Sequence, residues 1–123
     1  MRYVDGYVLP VPKKKLAAYR RLAQAAGKIW REHGALQYVE SVGEDLNVKF
    51  GMPFRRVLDL KPGETVIFAW IVFKSRAHRD SVNAKVMKDP RLAKMMDNMT
   101  DSKSKLFDHK RMVYGGFSII VDA

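Results

Sequence analysis

Cysteine is absent from this sequence of 123 residues, and histidine occurs only three times. Without cysteine there can be no disulfide, no thiolate metal ligand and no cysteine nucleophile, and the absence fits the cytoplasm. The longest apolar run, residues 66–73, is far shorter than the roughly 20 residues that a membrane-spanning helix needs. Residues 1–12 also lack the apolar segment of a signal peptide. We therefore expect a soluble, cytoplasmic protein with no membrane partner.

Acidic residues are scarce relative to basic ones, at 13 Asp and Glu against 23 Lys and Arg, which gives a net charge of +10. Such an excess favours anionic partners, including nucleic acid. The basic residues are spread along the chain, however, and this distribution is typical of solvated helix faces. Binding of nucleic acid or another polyanion through two basic helices, within residues 13–31 and 85–94, is therefore a less favoured alternative.

The run at residues 66–73, VIFAWIVF, is the strongest structural signal in the sequence. A strand alternates its side chains between two faces, so both faces of this strand are apolar and both must be covered. Phe68, Trp70 and Val72 share one of these faces. We predict that this face lies in an interface between subunits.

Alternating and helical patterns predict four strands and two helical regions. Strands are expected at residues 3–11, 35–42, 64–74 and 111–122, and helices at 13–33, after Ser75 and again after Asp89. A polar loop is expected at 100–105, and residues 43–63 form a long connection without a clear pattern. The order strand, helix, strand, repeated once, predicts an α+β, ferredoxin-like βαββαβ domain spanning residues 1–123. Its antiparallel sheet would carry the helices on one face, and the other face would pack against a second copy in a homodimer.

Several segments of the sequence resemble one family. They are residues 2–12, RYVDGYVLPVP, residues 30–40, WREHGALQYVE, residues 61–65, KPGET, residues 82–90, VNAKVMKDP, and residues 110–117, KRMVYGGF. On these segments the chain is similar to the family of domain of unknown function 1428 (DUF1428) over nearly its whole length. The resemblance implies a dimeric α/β barrel, in which two ferredoxin-like sheets pack face to face. It implies no established activity and no catalytic residues.

Familiar catalytic motifs are missing, since there is no glycine-rich phosphate loop, no serine elbow and no histidine pair at helical spacing. We therefore predict no cofactor and no metal. His33, His78 and Tyr114 are the candidates for acid–base chemistry, because an imidazole titrates near neutral pH and a buried hydroxyl needs a partner. A packed histidine at a helix end and a tyrosine in the core or interface are the simpler interpretations of these residues.

Trp30, Tyr38 and Arg79 are the candidates for ligand binding. The two aromatic residues could form an apolar wall between the first helix and the sheet, and Arg79 lies in the first turn of the second helix, where an anion could bind. The leading hypothesis is a small-molecule binder or a cofactor-independent enzyme with a pocket between helices and sheet. A structural or regulatory protein-interaction module is a further alternative, and the sequence leaves open whether the protein is an enzyme.

Overall fold

The computed structural model describes residues 1–100 and 106–123, without the side chains of residues 98–100. A polar loop was predicted at residues 100–105, and residues 101–105 of it lie outside the described residues. The described strands are β1 (Tyr3–Pro12), β2 (Gln37–Val42), β3 (Glu64–Phe73) and β4 (Val113–Ser118). The described α-helices are α1 (Leu16–Glu32), α2 (Phe54–Val57), α3 (Arg76–Met87) and α4 (Pro90–Thr100).

The four strands form one open antiparallel sheet in the order β2-β3-β1-β4. The two long strands, β1 and β3, pair along their full length, from Tyr3 opposite Phe73 to Pro12 opposite Glu64. The shorter β2 and β4 are the edges, so the sheet does not close on itself. The predicted α+β class with an antiparallel sheet is confirmed.

The apolar core lies between this sheet and the helices α1, α3 and α4. Alternation along β1 and β3 directs the odd-numbered residues from Tyr3 to Val11 and from Thr65 to Phe73 towards the helices. Ile29, Val82 and Leu92 from the three helices pack on Ile71 and Phe73. A second cluster is formed by buried residues further along the same face, namely Leu9, Val11, Tyr19, Ile67, Ala69 and Phe107.

Helix ends follow the local sequence closely. The Ser75 hydroxyl accepts a hydrogen bond from the His78 backbone N–H at 3.1 Å and caps α3. Gly34 has φ +118 just beyond α1, which is a conformation that glycine tolerates best. Lys13–Lys15 form a 3-10 turn before α1, although the pattern predicted α-helix from residue 13. Three lysines with no capping side chain oppose the helix dipole there, so the α-helix begins later.

The outer strands are shorter than the patterns predicted. β4 ends at Ser118 because its partner strand β1 begins opposite it, at Tyr3. Arg111 lies before β4 in a 3-10 turn that Asp108 caps. The two glycines of β4 pair with β1 in continuous register, and a Cβ atom added to Gly116 would lie 2.8 Å from Cε2 of Tyr3. The absence of a side chain at Gly116 therefore makes room for the Tyr3 ring.

The long connection between β2 and β3 contains α2 and partly covers the face of the sheet opposite the helices. Leu58 is buried, at 1% exposure, and the Phe54 ring lies 6.3 Å from that of Phe68. Phe68 itself stays 46% exposed. We call this side, with the even-numbered residues of β3, the open face of the sheet.

Candidate functional site

A cavity of about 270 Å³ lies between α1, α4 and the helix-facing side of the sheet. Aromatic rings and methionines make up most of its wall, among them Tyr7, Trp30, Tyr38, Met95, Met96 and Phe107. Its volume is close to the lower end of the roughly 300–1,000 Å³ that ligand pockets occupy. The cavity is therefore large enough for a small organic molecule.

Glu40 is the carboxylate on the described part of the cavity wall. It projects from β2 on the same side as Tyr38, because the two residues are two positions apart on the strand. Its carboxylate accepts hydrogen bonds from the Tyr19 hydroxyl and, at 2.6 Å, from the Tyr38 hydroxyl. Burial and the neighbouring Glu40 charge raise the pKa of both tyrosines, so both stay protonated donors at neutral pH.

A close approach between helix α1 and strand β2 positions the Tyr38 ring. Gly27 is buried on α1, and a Cβ atom added to it would lie 2.8 Å from Cδ1 of Tyr38. Trp30, one turn further along α1, has its ring centroid 5.9 Å from that of Tyr38. The missing side chain at Gly27 therefore lets Tyr38 reach both Trp30 and Glu40.

A second polar cluster lies at the opposite end of the helix-covered face, around Asp5. The Asp5 side chain is completely buried, and its Oδ1 lies 3.6 Å from Nη1 of Arg79. The Asn83 amide donates to Asp5 Oδ2 at 3.5 Å and accepts from the Trp30 indole N–H at 3.1 Å. Burial raises the pKa of Asp5, and the Arg79 charge only partly offsets this effect. Through Trp30, this cluster is joined to the cavity wall.

The structure brings the predicted residues Arg79 and Tyr114 together. Arg79 donates to the Tyr114 hydroxyl at 3.1 Å and to the Tyr3 hydroxyl at 3.3 Å, and its guanidinium lies 5.0 Å from the centre of the Tyr3 ring. Tyr114 stacks on Tyr7 with ring centroids 4.8 Å apart, and Tyr7 in turn lines the cavity. Arg79 is therefore occupied by Asp5 and two hydroxyls rather than open to an anion from solvent.

The predicted histidines lie elsewhere. His33 Nε2 is 2.8 Å from Asp89 Oδ2, at the junction of α1 and α4, and with Arg91 it lowers the pKa of Asp89. His78 Nδ1 accepts a hydrogen bond from the Lys74 backbone N–H at 3.0 Å. Among the described residues, the cavity wall includes Trp30 and Tyr38 but neither of these histidines. The structure therefore unites two of the predicted ligand-binding residues and separates them from the predicted acid–base histidines.

An open groove of about 930 Å³ runs along the outside of α1 beside the edge strand β2. Its floor shares Tyr19, Tyr38 and Glu40 with the wall of the cavity. Arg20 and Lys28, which belong to the basic region predicted at residues 13–31, line the groove and are exposed. The groove thus gives solvent access to the side of the cavity where Glu40 lies.

The three residues predicted for a subunit interface lie on the open face. Phe68 and Trp70 contact each other with ring centroids 5.4 Å apart. The Trp70 indole donates to the Gln37 side chain at 3.3 Å. Val72 is already buried within the single chain, at 8% exposure, so Phe68 and Trp70 carry the exposed apolar surface of β3.

Sequence reasoning missed Asp5, Glu40 and Asn83. Strand alternation could have identified the two acids. Each carboxylate lies two positions from a tyrosine on its strand, so the pattern places both acids on the helix-facing side of the sheet. A charged residue on a buried face is rare unless it is paired or functional. Asn83 carried no such signal. In the described part of the chain, no three acidic or histidine side chains cluster in a way that could hold a metal ion.

Comparison with known proteins identifies a solved structure with the same α+β fold and the family to which the chain is related. An uncharacterized NIPSNAP domain protein from Burkholderia xenovorans shares the fold with a TM-score of 0.54, covering 95% of this chain and 93% of its own, at 11% sequence identity. The model of the family described as protein of unknown function (DUF1428) matches residues 2–103. The chain is 40% identical over 122 residues to the uncharacterized protein YbaA of Escherichia coli K12 and of Shigella flexneri, with 99% of each chain covered.

The chain therefore belongs to the DUF1428 family, as the sequence segments indicated. The activity of this family is not known. Across the described residues, the helices are too short or too polar to span a bilayer.

Proposed function

We propose that this protein binds a small, largely apolar organic molecule in the cavity between α1, α4 and the sheet. The observation that carries the proposal is a 270 Å³ space with an aromatic and methionine wall and one carboxylate held by two tyrosine hydroxyls. Ligand sites typically combine an apolar wall with a few polar groups that fix orientation. The flexible side chains of Met95 and Met96 would let the wall adapt to the bound molecule.

If the protein is an enzyme, we propose that it catalyses a cofactor-independent reaction of the molecule bound in this cavity. Glu40 is the group through which a proton would move to or from the bound molecule, because it is the carboxylate among the described residues of the wall. The tyrosine hydroxyls of Tyr19 and Tyr38 would hold its orientation. His33 and His78 are poorly placed for such a role, whereas Tyr114 reaches the wall only through its stacking on Tyr7.

A cavity-filling variant tests the binding proposal. Indole, a neutral aromatic probe, is expected to raise the melting temperature of the parent protein in a concentration-dependent way. Ala26→Phe places a ring in the cavity and should abolish this effect. Ala17→Phe, on the exposed side of the same helix, is the matched control and should preserve it. Equal stabilisation of the parent and of Ala26→Phe by indole would contradict the proposal.

For the assembly, we propose the ferredoxin-like arrangement and the homodimer that the sequence pattern predicts, in the form of the dimeric α/β barrel that the family resemblance implies. The strand order β2-β3-β1-β4 with all pairs antiparallel supports the topology. The open face supports a homodimer, because Phe68, Val113 and Phe117 are 46%, 47% and 59% exposed on it. An apolar surface of this kind on a sheet is best covered by the same surface of a second copy.

A further inference from the structure

We infer that the molecule bound in the cavity is an organic cation, with a protonated amine at Glu40 and an aromatic or branched apolar body against the cavity wall. This inference rests on the proposed function and adds the chemical class of the ligand. Three features of the site support it: the charge of Glu40, the aromatic rings around it and the absence of lysine and arginine from the described lining of the cavity.

The charge of Glu40 is not balanced within the described chain. Its carboxylate accepts two hydrogen bonds from tyrosine hydroxyls, and none of the described lysines, arginines or histidines forms an ion pair with it. Glu40 is half-buried, and a carboxylate that is partly withdrawn from water is stabilised by a cation beside it. In a chain with ten more basic than acidic charges, an acid at a cavity that no described basic residue pairs with is a candidate site for a cation from outside.

The aromatic rings around Glu40 also suit a cation. Trp30, Tyr19 and Tyr38 all line the cavity together with Glu40. The face of an aromatic ring attracts a positive charge, most strongly when water is excluded. Each carboxylate oxygen can accept a second hydrogen bond, so an ammonium group can bind Glu40 without displacing either hydroxyl.

A ligand carboxylate or phosphate would meet no lysine or arginine on the described wall of the cavity, where His109 is the basic side chain. Arg79, the arginine of the buried Asp5 cluster, is engaged by Asp5 and by the hydroxyls of Tyr3 and Tyr114. Arg20 and Lys28 lie on the outer groove, where water and salt screen their charges. They therefore offer an anion only a weak, solvated contact, and they oppose the approach of an amine only weakly.

Three matched probes test the ligand class by calorimetric titration at pH 7. They are 2-phenylethylamine, 2-phenylethanol and phenylacetate, which carry a positive, a neutral and a negative group on the same ring. We expect the amine to bind at least tenfold more tightly than the alcohol, and phenylacetate to bind most weakly, because a charged hydrogen bond in a partly dry site outweighs a neutral one. This comparison uses the unmodified protein and depends on no variant.

Two variants assign the preference to Glu40. Glu40→Gln keeps an acceptor for one tyrosine but removes the charge, and it should lower amine affinity about 10- to 100-fold while leaving alcohol affinity within about threefold. Glu44→Gln removes an exposed acid just beyond β2 and should leave all three affinities unchanged. Near-UV circular dichroism establishes that both variants keep the native packing.

The outcomes separate this inference from the function on which it rests. The proposed ligand class is wrong if the alcohol or phenylacetate binds as tightly as the amine, or if Glu40→Gln leaves the amine affinity unchanged. In either case, indole binding would still support the proposal that the cavity binds a small molecule. If indole binds but none of the three probes does, the ligand class is likewise wrong. If indole also fails to bind, the proposed function falls together with the inference.

Discussion

The two faces of the sheet differ in where they place polar groups. The helix-covered face carries Asp5 and Glu40 at buried or half-buried positions among tyrosines. The open face presents apolar side chains over β1, β3 and β4, with Phe68 and Phe117 partly exposed to solvent. Burying polar groups costs free energy unless they are satisfied, whereas exposing apolar groups costs free energy unless they are covered. The first arrangement is typical of a site for a ligand and the second of a surface for a partner.

The ion pairs at the two faces also differ in geometry. At the start of β3, Arg111 donates two short hydrogen bonds to Glu64, at 2.7 and 2.8 Å, and these bonds lower the pKa of the carboxyl group. On the helix-covered face, Arg79 approaches Asp5 only to 3.6 Å, and burial leaves the pKa of Asp5 raised. The bidentate pair stabilises the fold. At Asp5, burial outweighs the attraction of the Arg79 charge, so the pKa stays raised. Carboxyl groups with perturbed pKa values are concentrated at functional sites.

The largest effect is expected from placing a charge on the open face. Trp70→Glu should give an unfolded or aggregated protein, because a carboxylate would be buried without a partner in the proposed interface. A well-folded monomer in size exclusion, with an intact near-UV signal, would contradict a buried interface at Trp70.

A milder variant keeps the dimer proposal testable when Trp70→Glu does not fold. Phe117→Lys replaces a ring that is 59% exposed in the single chain, so the fold should survive while the dimer dissociates to monomers in sedimentation equilibrium. Ser118→Lys, the next residue on β4 and on its other side, is the control and should remain dimeric. If the parent protein is itself a monomer, the interface proposal is wrong.

The next largest effect is expected at the Asp5 pair on the helix-covered face. Arg79→Ala leaves Asp5 buried without its cation and should lower the free energy of unfolding by about 3–5 kcal/mol in urea titrations. Arg76→Ala, on the exposed side of the same helix, should change it by less than about 0.5 kcal/mol. Similar losses in both variants would show that Asp5 does not depend on Arg79.

A pH series isolates the cost of the Asp5 charge. Because burial raises the pKa of Asp5 above the ordinary value of 3.8, its ionisation destabilises the folded state. The free energy of unfolding of the parent, relative to Asp5→Asn, should therefore be constant below about pH 3.8 and should fall as the pH rises through the raised pKa.

The opposite pH dependence of Glu64 cancels in this comparison. Its pKa is lowered, so its stabilisation is present at neutral pH and is lost as the pH falls through the lowered value, equally in the parent and in Asp5→Asn. Urea titrations between pH 3 and pH 7 measure the difference between the two proteins. A difference that does not change with pH would contradict the raised pKa of Asp5.

The smallest effect is expected at Gly27. An alanine there gains up to about 1 kcal/mol of helix propensity but displaces Tyr38, at a cost of about 1–3 kcal/mol. We expect Gly27→Ala to be neutral to mildly destabilising in thermal unfolding. Ala17→Gly, on the exposed face of α1, measures the contribution of helix propensity alone and should lower the free energy of unfolding by about 1 kcal/mol. A clear stabilisation by Gly27→Ala would show that Tyr38 is not crowded against the helix.

Local patterns in the sequence predicted most of the fold. Alternating patterns predicted strands at residues 3–11 and 64–74, and β1 and β3 form there and pair along their full length. Ser75 likewise marked the start of a helix correctly, and the helix predicted up to residue 33 ends at Glu32, just before Gly34. These features depend on residues close together in the chain, so the sequence determines them with little help from tertiary contacts.

The candidate site depended on contacts that no local pattern contains. His33 was predicted as a candidate for acid–base chemistry, but docking of α4 places it against Asp89, away from the described lining of the cavity. The neighbours of Asp5 come from a helix more than seventy residues away in the sequence. Tertiary packing, rather than helix or strand periodicity, thus decides which polar groups reach the cavity.

The central claim is that the helix-covered face, and not the open face, binds a small molecule. Nuclear magnetic resonance of methionine methyl groups during titration with indole tests it most directly. Met95, Met96 and Met112 line the cavity, whereas Met1 and Met52 are exposed outside it, at 79% and 65%. We predict saturable shifts of the first three methyl signals with the last two unmoved. Shifts at Met52 or Met1 without any at Met95 would contradict the claim.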